Sequence, residues 1–220
     1  MQPTPAPQFL PLSWRLLQRA AATLLLLVLS PLLLAVALAV RATSPGPALF
    51  SQSRPGAGRT PFRVFKFRTM TLGSDAIESL QLGVSRGEPR VTRVGKVLRE
   101  LKIDELPQLY NVVRGQMNLV GPRPIGPALD RLLTEQIPLF HLRYTVPPGL
   151  TSLGQICIDD NDADILQDWT LRSQAECHYI DNLSPRYDLI ILTLTAAFLL
   201  RRLTSNVPRR QPPPPALTSA

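Results

Sequence analysis

Cysteine is scarce in this 220-residue chain. Cys157 and Cys177 fit neither a CxxC pair nor a metal-ligand spacing. That argues against a disulfide framework or a thiolate zinc site and predicts two reduced thiols in a cytosolic domain. Histidine is equally sparse: His141 and His178 are isolated, and surface or packing roles are expected for both. No HExxH, Walker A loop or complete dinucleotide glycine fingerprint occurs. Seven Phe, four Tyr and two Trp are too few, and too rarely interleaved with Arg or Lys, to make a base-stacking platform. Acidic residues are outnumbered too, 16 against 24 basic, for a net charge of +8. The partners are therefore anionic: nucleic acid, anionic lipid or phosphorylated substrates.

Long apolar runs are lacking as well, with one exception. Positions 20–40 read AAATLLLLVLSPLLLAVALAV, 21 residues without a charge. That is about the ~20 residues needed to cross a bilayer core, and it is too apolar all round for the amphipathic helix of a soluble domain. A basic stretch precedes it, but no clear small-residue cleavage site follows. Ser13 is expected to cap a helix that starts at Trp14. Arg15 and Arg19 lie on one side of the run, and Arg41, Arg54 and Arg59 on the other, so the positive-inside rule gives no orientation. Ser30-Pro31 interrupts the middle. Proline removes a backbone donor, and the serine hydroxyl can satisfy the freed carbonyl. A kinked helix that enters and leaves on the same side reconciles break and charges; a straight span with a bend is the alternative.

The rest of the chain predicts an α+β domain. Residues 1–13 and the Pro-rich 204–220 are expected to be disordered, 14–41 to form the re-entrant membrane helix, and 42–203 the domain. After the SPGP turn (44–47), ALFSQSR and PFRVFKFRTM flank PGAGR and predict a β-hairpin. In its second strand Phe62, Val64, Lys66 and Arg68 share one face, so Lys66 and Arg68 project together. A solvated edge strand is the plainer account of those charges. A short helix and loop are expected over 71–89. Val94, Val97, Leu98 and Leu101 recur at helical spacing, and a second helix is predicted to begin at Asp104, with Leu106, Leu109, Tyr110 and Val113 as its apolar stripe. Helices are expected over 125–143 and 162–182, with a turn into a strand or loop over 146–156. The apolar segment 188–203, interrupted by Thr193 and Thr195, reads as a packed or interfacial helix ending at Arg201-Arg202.

The chemistry concentrates in 90–124. There one carboxylate pair, Asp104-Glu105, stands among Arg90, Arg93, Lys96, Arg99, Arg114 and Arg123. Asp104 could serve only as a helix cap, with Glu105 as a dipole complement. The surrounding cations favour more: a doubly anionic substrate such as a pyrophosphate, held through a divalent metal. Arg99 can approach from the preceding helix. Arg123, pinned between Pro122 and Pro124, presents a fork suited to phosphate. A carboxylate can attack phosphorus to give an acyl-phosphate that a second acceptor resolves, and its neighbour can hold Mg²⁺.

KFRTM (66–70), the RxTxxGxxLR run (90–99), IDELPQLYNVV (103–113) and LVGPRP (119–124) closely resemble the bacterial sugar transferases, the polyprenyl-phosphate phosphoglycosyl transferases. The hairpin, PPGLT and the Asp181/Asp188 region match too, so the resemblance covers roughly 14–203. It implies a monotopic enzyme, in the small form, with a re-entrant membrane helix kinked at Ser30-Pro31. The mainly helical catalytic domain would lie on the cytoplasmic face of the bacterial inner membrane. It implies transfer of a sugar-1-phosphate from a UDP-sugar to undecaprenyl phosphate, initiating exopolysaccharide, O-antigen or glycoconjugate synthesis. Asp104 would be the nucleophile that carries the phospho-sugar, and Glu105 would hold Mg²⁺. Arg99 and Arg123 match phosphate-binding arginines; Lys66 and Arg68 are further candidates for phosphate or substrate binding. Three departures stand out. Gln116 and Asn118 replace a common Asp and Ser, PGLTSLGQ (148–155) replaces PGITGWAQ, and Glu176 stands where Asp is common. The rival readings are a non-catalytic membrane-anchored scaffold and a basic nucleic-acid binder; neither needs Asp104.

Overall fold

The computed structural model describes residues 6–71, 73, 89–158 and 165–204. The expectations for residues 1–5, for most of 71–89, for 159–164 and for 205–220 lie outside them.

The first element is a 32-residue helix, α1 (Leu12–Thr43), about 48 Å long at 1.5 Å per residue. It starts earlier than expected: Pro11 stands at the N-cap with no side-chain bond, so Ser13 is not the cap. A proline just ahead of the first turn gives up a donor that the helix cannot use. The helix continues without interruption through Pro31. Pro31 lacks the N–H that would bond the Leu27 carbonyl, and the Ser30 hydroxyl donates to that same carbonyl at 2.7 Å. Gln18, Ala22, Val36 and Val40 are buried. Leu26 and Leu29, then Leu33 and Ala37, are partly buried between them. The spacing of three and four makes one stripe, so a single face of the helix lies lengthwise on the domain. The other faces carry exposed Leu24, Leu27, Val28, Leu34 and Leu38. Among the described residues α1 is the one helix long and apolar enough to cross a membrane.

The hairpin pairs β1 (Leu49–Pro55) with β2 (Pro61–Phe67) antiparallel, Leu49 opposite Phe67 and Pro55 opposite Pro61. Its tip turns through Gly58 and Arg59, both at φ 59°. Arg59 accepts that left-handed backbone while its guanidinium pairs with Asp130 at 3.1 Å and covers the Tyr144 ring. Phe62 and Val64 bury into a core with Ala22, Leu109, Val112 and Met117. Phe67 packs on the other side with Val36, Val40 and Leu98. Both halves of α1 thus share a core with the same hairpin strand.

Helix α2 (Arg93–Glu100) begins on Thr92, whose hydroxyl accepts from Gly95 N at 2.9 Å. Its inward stripe is narrower than expected. Leu98 is buried and Val94 partly so, but Val97 and Leu101 are exposed, because Gly95 takes the inward place. A Cβ on Gly95 would lie 2.1 Å from the Thr69 carbonyl oxygen. No α-helix begins at Asp104. Lys102 turns left-handed (φ 58°), a 3₁₀ segment runs Ile103–Gln108, and the short α3 (Leu109–Val113) follows. Tyr110 of the expected stripe is half exposed, and Val112 is buried instead.

Strand β3 (Asn118–Val120) pairs parallel with β4 (Gly149–Thr151). Between them lie α4 (Pro127–Gln136) and a 3₁₀ segment, Phe140–Thr145, in place of one helix over 125–143. Within 146–156, expected as a turn into a strand or loop, β4 is that strand, and the short α5 (Leu153–Cys157), capped by Ser152, follows it in place of a further loop. Then come α6 (Ile165–Asp181) and α7 (Pro185–Thr204). Buried Asp188 of α7 accepts from Trp14 Nε1 at 2.8 Å and Gln18 Nε2 at 3.3 Å, both on α1, and from the Tyr179 hydroxyl at 2.9 Å. Gln18 Oε1 in turn accepts from Leu119 N at 2.7 Å. Polar side chains on an otherwise apolar helix thus tie it to β3, α6 and α7. Helix α7 also leaves Leu189, Ile190, Leu194 and Leu200 exposed.

Candidate active site

The 3₁₀ segment Ile103–Gln108 holds Asp104 and Glu105 in one turn, and the fold treats them oppositely. Both are 7% exposed. Glu105 is surrounded by cations. Arg123 forks onto it, Nη2 to Oε1 at 2.6 Å and Nη1 to Oε2 at 3.1 Å, and Lys66 Nζ meets Oε1 at 2.9 Å. Burial by itself would raise the Glu105 pKa, but Arg123 and then Lys66 outweigh it and hold the carboxylate well below its usual range. Asp104 keeps a buried Oδ1 with no hydrogen-bond partner among the described residues. Its pKa is raised, first by burial and then by the charge of Glu105, against the pull of Lys66, Lys102 and Arg99. The result is one carboxylate neutralised by ion pairs and one left basic and uncommitted.

Three elements converge to make this. The strand alternation of β2 carries the face of Phe62 and Val64 on to Lys66, beside Glu105. Burial lowers the Lys66 pKa, with Glu105 opposing. The dyad turn is held against β2 by Asn111, which is fully buried. Asn111 Oδ1 accepts from Phe65 N at 3.2 Å, and its Nδ2 donates to the Arg63 carbonyl at 2.6 Å and to Gln116 Oε1 at 3.0 Å. Arg123 arrives from the loop after β3.

Of the six candidate catalytic and phosphate-binding residues, five form or approach the dyad. Asp104, Glu105, Lys66 and Arg123 are brought together directly. Arg99 lies close enough to act on the Asp104 charge, while its Nε donates to Thr69 Oγ1 at 2.7 Å. Arg68 goes elsewhere. It is buried and donates to the carbonyls of Ser44 and Pro45 and to Ser44 Oγ, at the C-terminal end of α1. The shared projection of Lys66 and Arg68 ends because β2 itself ends at Phe67. A cation suits unsatisfied helix carbonyls.

Sequence reasoning missed the supports of the arginine loop. Arg54 Nη1 donates to the Pro124 carbonyl, Arg143 Nη2 to the Arg123 carbonyl, and Glu176 Oε1 accepts from Arg123 N at 3.1 Å. The signal was present in part. Prolines on either side of Arg123 leave it as the one backbone donor of that stretch, and a buried donor needs an acceptor. The departure at Gln116 also finds its place: its amide oxygen serves Asn111, a role a carboxylate oxygen could fill equally.

Comparison with known proteins identifies the family. A family model for bacterial sugar transferases matches residues 11–202. A UDP-glucose:undecaprenyl-phosphate glucose-1-phosphate transferase of Caulobacter vibrioides is 45% identical over 186 residues, covering 84% of this chain and 69% of that protein. The protein of the same name in Escherichia coli is 40% identical, over 82% of this chain but 39% of its own length. An exopolysaccharide production protein of Rhizobium leguminosarum is 38% identical, over 80% of this chain and 90% of its own. The matched span runs from the residue before α1 into α7 and takes in every element of the dyad site, and the chain belongs to the bacterial sugar transferase family.

Proposed function

We propose that this chain transfers a sugar-1-phosphate from a UDP-sugar to undecaprenyl phosphate through a covalent phospho-sugar on Asp104. The observation that carries this reading is the opposite state of two adjacent carboxylates in one buried turn. A nucleophile must be ionised yet unencumbered, and among the described residues Asp104 Oδ1 has no partner to give up. The names of the relatives support the donor and acceptor classes.

Asp104 Oδ1 attacks the phosphorus bonded to the sugar. The new oxygen–phosphorus bond forms as the bond to the bridging oxygen breaks, and UMP leaves with the electron pair. An oxygen of the lipid phosphate then attacks the same phosphorus. The bond to Oδ1 breaks, the carboxylate is restored, and the product is the undecaprenyl diphosphate sugar. Arg99, Arg123 and Lys66 supply the positive surroundings that hold the phosphate oxygens. Glu105 is the residue to hold Mg²⁺. Its Oε2 takes one hydrogen bond, from Arg123 Nη1, and a carboxylate oxygen offers about two lone pairs. One or two carboxylates completed by phosphate and water are the usual Mg²⁺ environment. The ion, when bound, neutralises phosphate charge.

The arrangement at the membrane follows from α1. Because one face packs lengthwise on the domain at both ends, its exposed leucines enter the lipid from the same side as the domain, in a re-entrant rather than a spanning geometry. The exposed apolar residues of α7 add to that surface. The site then faces the cytoplasmic pool of nucleotide sugar while the lipid phosphate approaches along the membrane.

Incubating the protein with Mg²⁺ and sugar-labelled UDP-sugars, without acceptor, is expected to label the peptide containing Asp104. The label should vanish in Asp104→Asn and be discharged by undecaprenyl phosphate. If no UDP-sugar yields label, and none yields nucleotide when undecaprenyl phosphate is added, the proposal fails.

A further inference from the structure

The loop that delivers Arg123 is held as if one residue's backbone were the object of the design. Pro122 and Pro124 have no N–H, so Arg123 carries the donor of that tripeptide. Its N–H goes to Glu176 Oε1 at 3.1 Å, and its carbonyl accepts from Arg143 Nη2. Arg143 Nη2 also donates to Glu176 Oε1, at 3.2 Å. The three groups close a ring: Arg143 holds the carbonyl, Glu176 the amide, and each holds the other. On either side the Pro122 carbonyl accepts from Gly149 N at 2.9 Å, and the Pro124 carbonyl from Arg54. The Arg143 and Glu176 side chains are 3% and 4% exposed. Arg143 lies against the rings of Phe140 and Trp169, 4.6 and 5.5 Å from their centroids.

A buried ion pair is a weak device for stability, since apolar residues of similar volume often do as well or better. What this pair supplies is location. It comes from two elements distant in sequence, the 3₁₀ segment Phe140–Thr145 and α6, and it grips the backbone of the residue whose side chain forks onto Glu105.

We propose that Arg143 and Glu176 are a positioning pair for Arg123, fixing its backbone so that its guanidinium reaches Glu105 and the substrate phosphate. Neither touches a reacting atom. This rests on the reading of Arg123 as part of the site, and the decisive readout is chosen so that it does not depend on turnover.

That readout is amide hydrogen exchange at Arg123, followed by NMR in the full-length protein in detergent micelles. Glu176→Leu removes the acceptor, and Arg143→Met/Glu176→Leu removes the whole pair without leaving a buried charge. Arg123 exchange is expected to rise at least tenfold in both, with the amides of α6 and the melting temperature little changed in the double variant. Glu176→Gln keeps an acceptor oxygen and should hold exchange within about threefold of the parent. In the transfer assay kcat should fall about 10- to 100-fold with KM within threefold, the scale of a misplaced group. In an Arg123→Ala background the same changes should add nothing. Unchanged Arg123 exchange in a folded double variant would overturn the proposal, as would fully additive losses with Arg123→Ala. If the parent shows no transfer with any UDP-sugar, the functional reading fails while the exchange result still decides the positioning role.

Discussion

At the scale of single residues, neighbouring groups of one type are separated by what surrounds them. Asp104 and Glu105 are adjacent and equally buried, yet their pKa values move apart because Arg123 and Lys66 both reach Glu105. Asp104 titrates above its ordinary 3.8, burial being the main cause and Glu105 the next. On the proposed mechanism protonation of Asp104 removes the nucleophile, so transfer should weaken as pH falls, with the acid limb of kcat/KM centred above 3.8. A limb at or below that value would contradict the burial argument. Glu105 works in the other direction. Its folded pKa is depressed below 4.5, so its ion pairs stabilise the fold above that pH, and the contribution is lost as pH drops through the lower folded value. Asp104→Asn should reduce turnover by at least about a thousandfold, the scale of removing a covalent nucleophile, without a comparable loss of folding measured by thermal melting.

Gln116 gives a second prediction at this scale. Its amide oxygen accepts from buried Asn111 Nδ2. If the acceptor is what matters there, Gln116→Glu should keep transfer within about threefold. Gln116→Leu should cost about 1–3 kcal/mol in stability, the penalty for a buried donor losing a partner. A large gain of Mg²⁺ dependence in Gln116→Glu would instead mean that the position lies at the metal.

At the scale of elements, close approaches decide where the cations point. Helix α2 can rest on the Thr69 carbonyl only because position 95 has no side chain. Gly95→Ala should therefore cost about 1–3 kcal/mol through overpacking. By moving Arg99 off Thr69 it should also raise KM for the UDP-sugar, which melting curves and initial rates would separate. Period alone made α2 and the 3₁₀-α3 segment visible as helical. It could not show that Val97, Leu101 and Tyr110 face outward, since an apolar stripe seen in sequence does not say how much of it another element covers. Nor could it show that Lys102 turns left-handed and starts a 3₁₀ segment, a conformation set by the packing of the turn against β2.

At the scale of the whole molecule, α1 is bound to the domain by polar contacts as well as by its apolar stripe. Asp188 accepts from Trp14, Gln18 and Tyr179 with no cation among them, and burial raises its pKa. Asp188→Leu removes the acceptor of Trp14 and of Gln18 and one of the two acceptors of Tyr179, and should destabilise the protein by about 2–4 kcal/mol, with the loss read in thermal melts in bilayer nanodiscs. The re-entrant reading has its own check. Cysteines placed at Ser13 and Thr43, the two ends of α1, should both react with an impermeant thiol reagent from the cytoplasmic side in inverted vesicles. Reaction from opposite sides would mean that the helix spans the membrane.

Much of this was legible in the chain itself. Hydropathy and an unbroken run of uncharged residues marked α1. Alternation around PGAGR marked the hairpin, which the structure bears out, while its register is read from the fold. Ser30-Pro31 carried its own repair, since the hydroxyl and the orphaned Leu27 carbonyl lie within one turn of helix. The dyad and the pinned Arg123 stood out because local sequence alone places unusual groups together. What the tertiary structure alone decided is which charge meets which. Lys66 reaches Glu105 across 39 residues, while Arg68, two positions on, turns to the end of α1. Arg143, unmarked by any local pattern, and Glu176, marked only as a departure from the family's usual Asp, close on Arg123 from two distant elements. Periodicity and turn chemistry act over a few residues and can be read in order along the chain. Ion pairing and the satisfaction of buried donors act across space, and their partners exist only once the chain has folded.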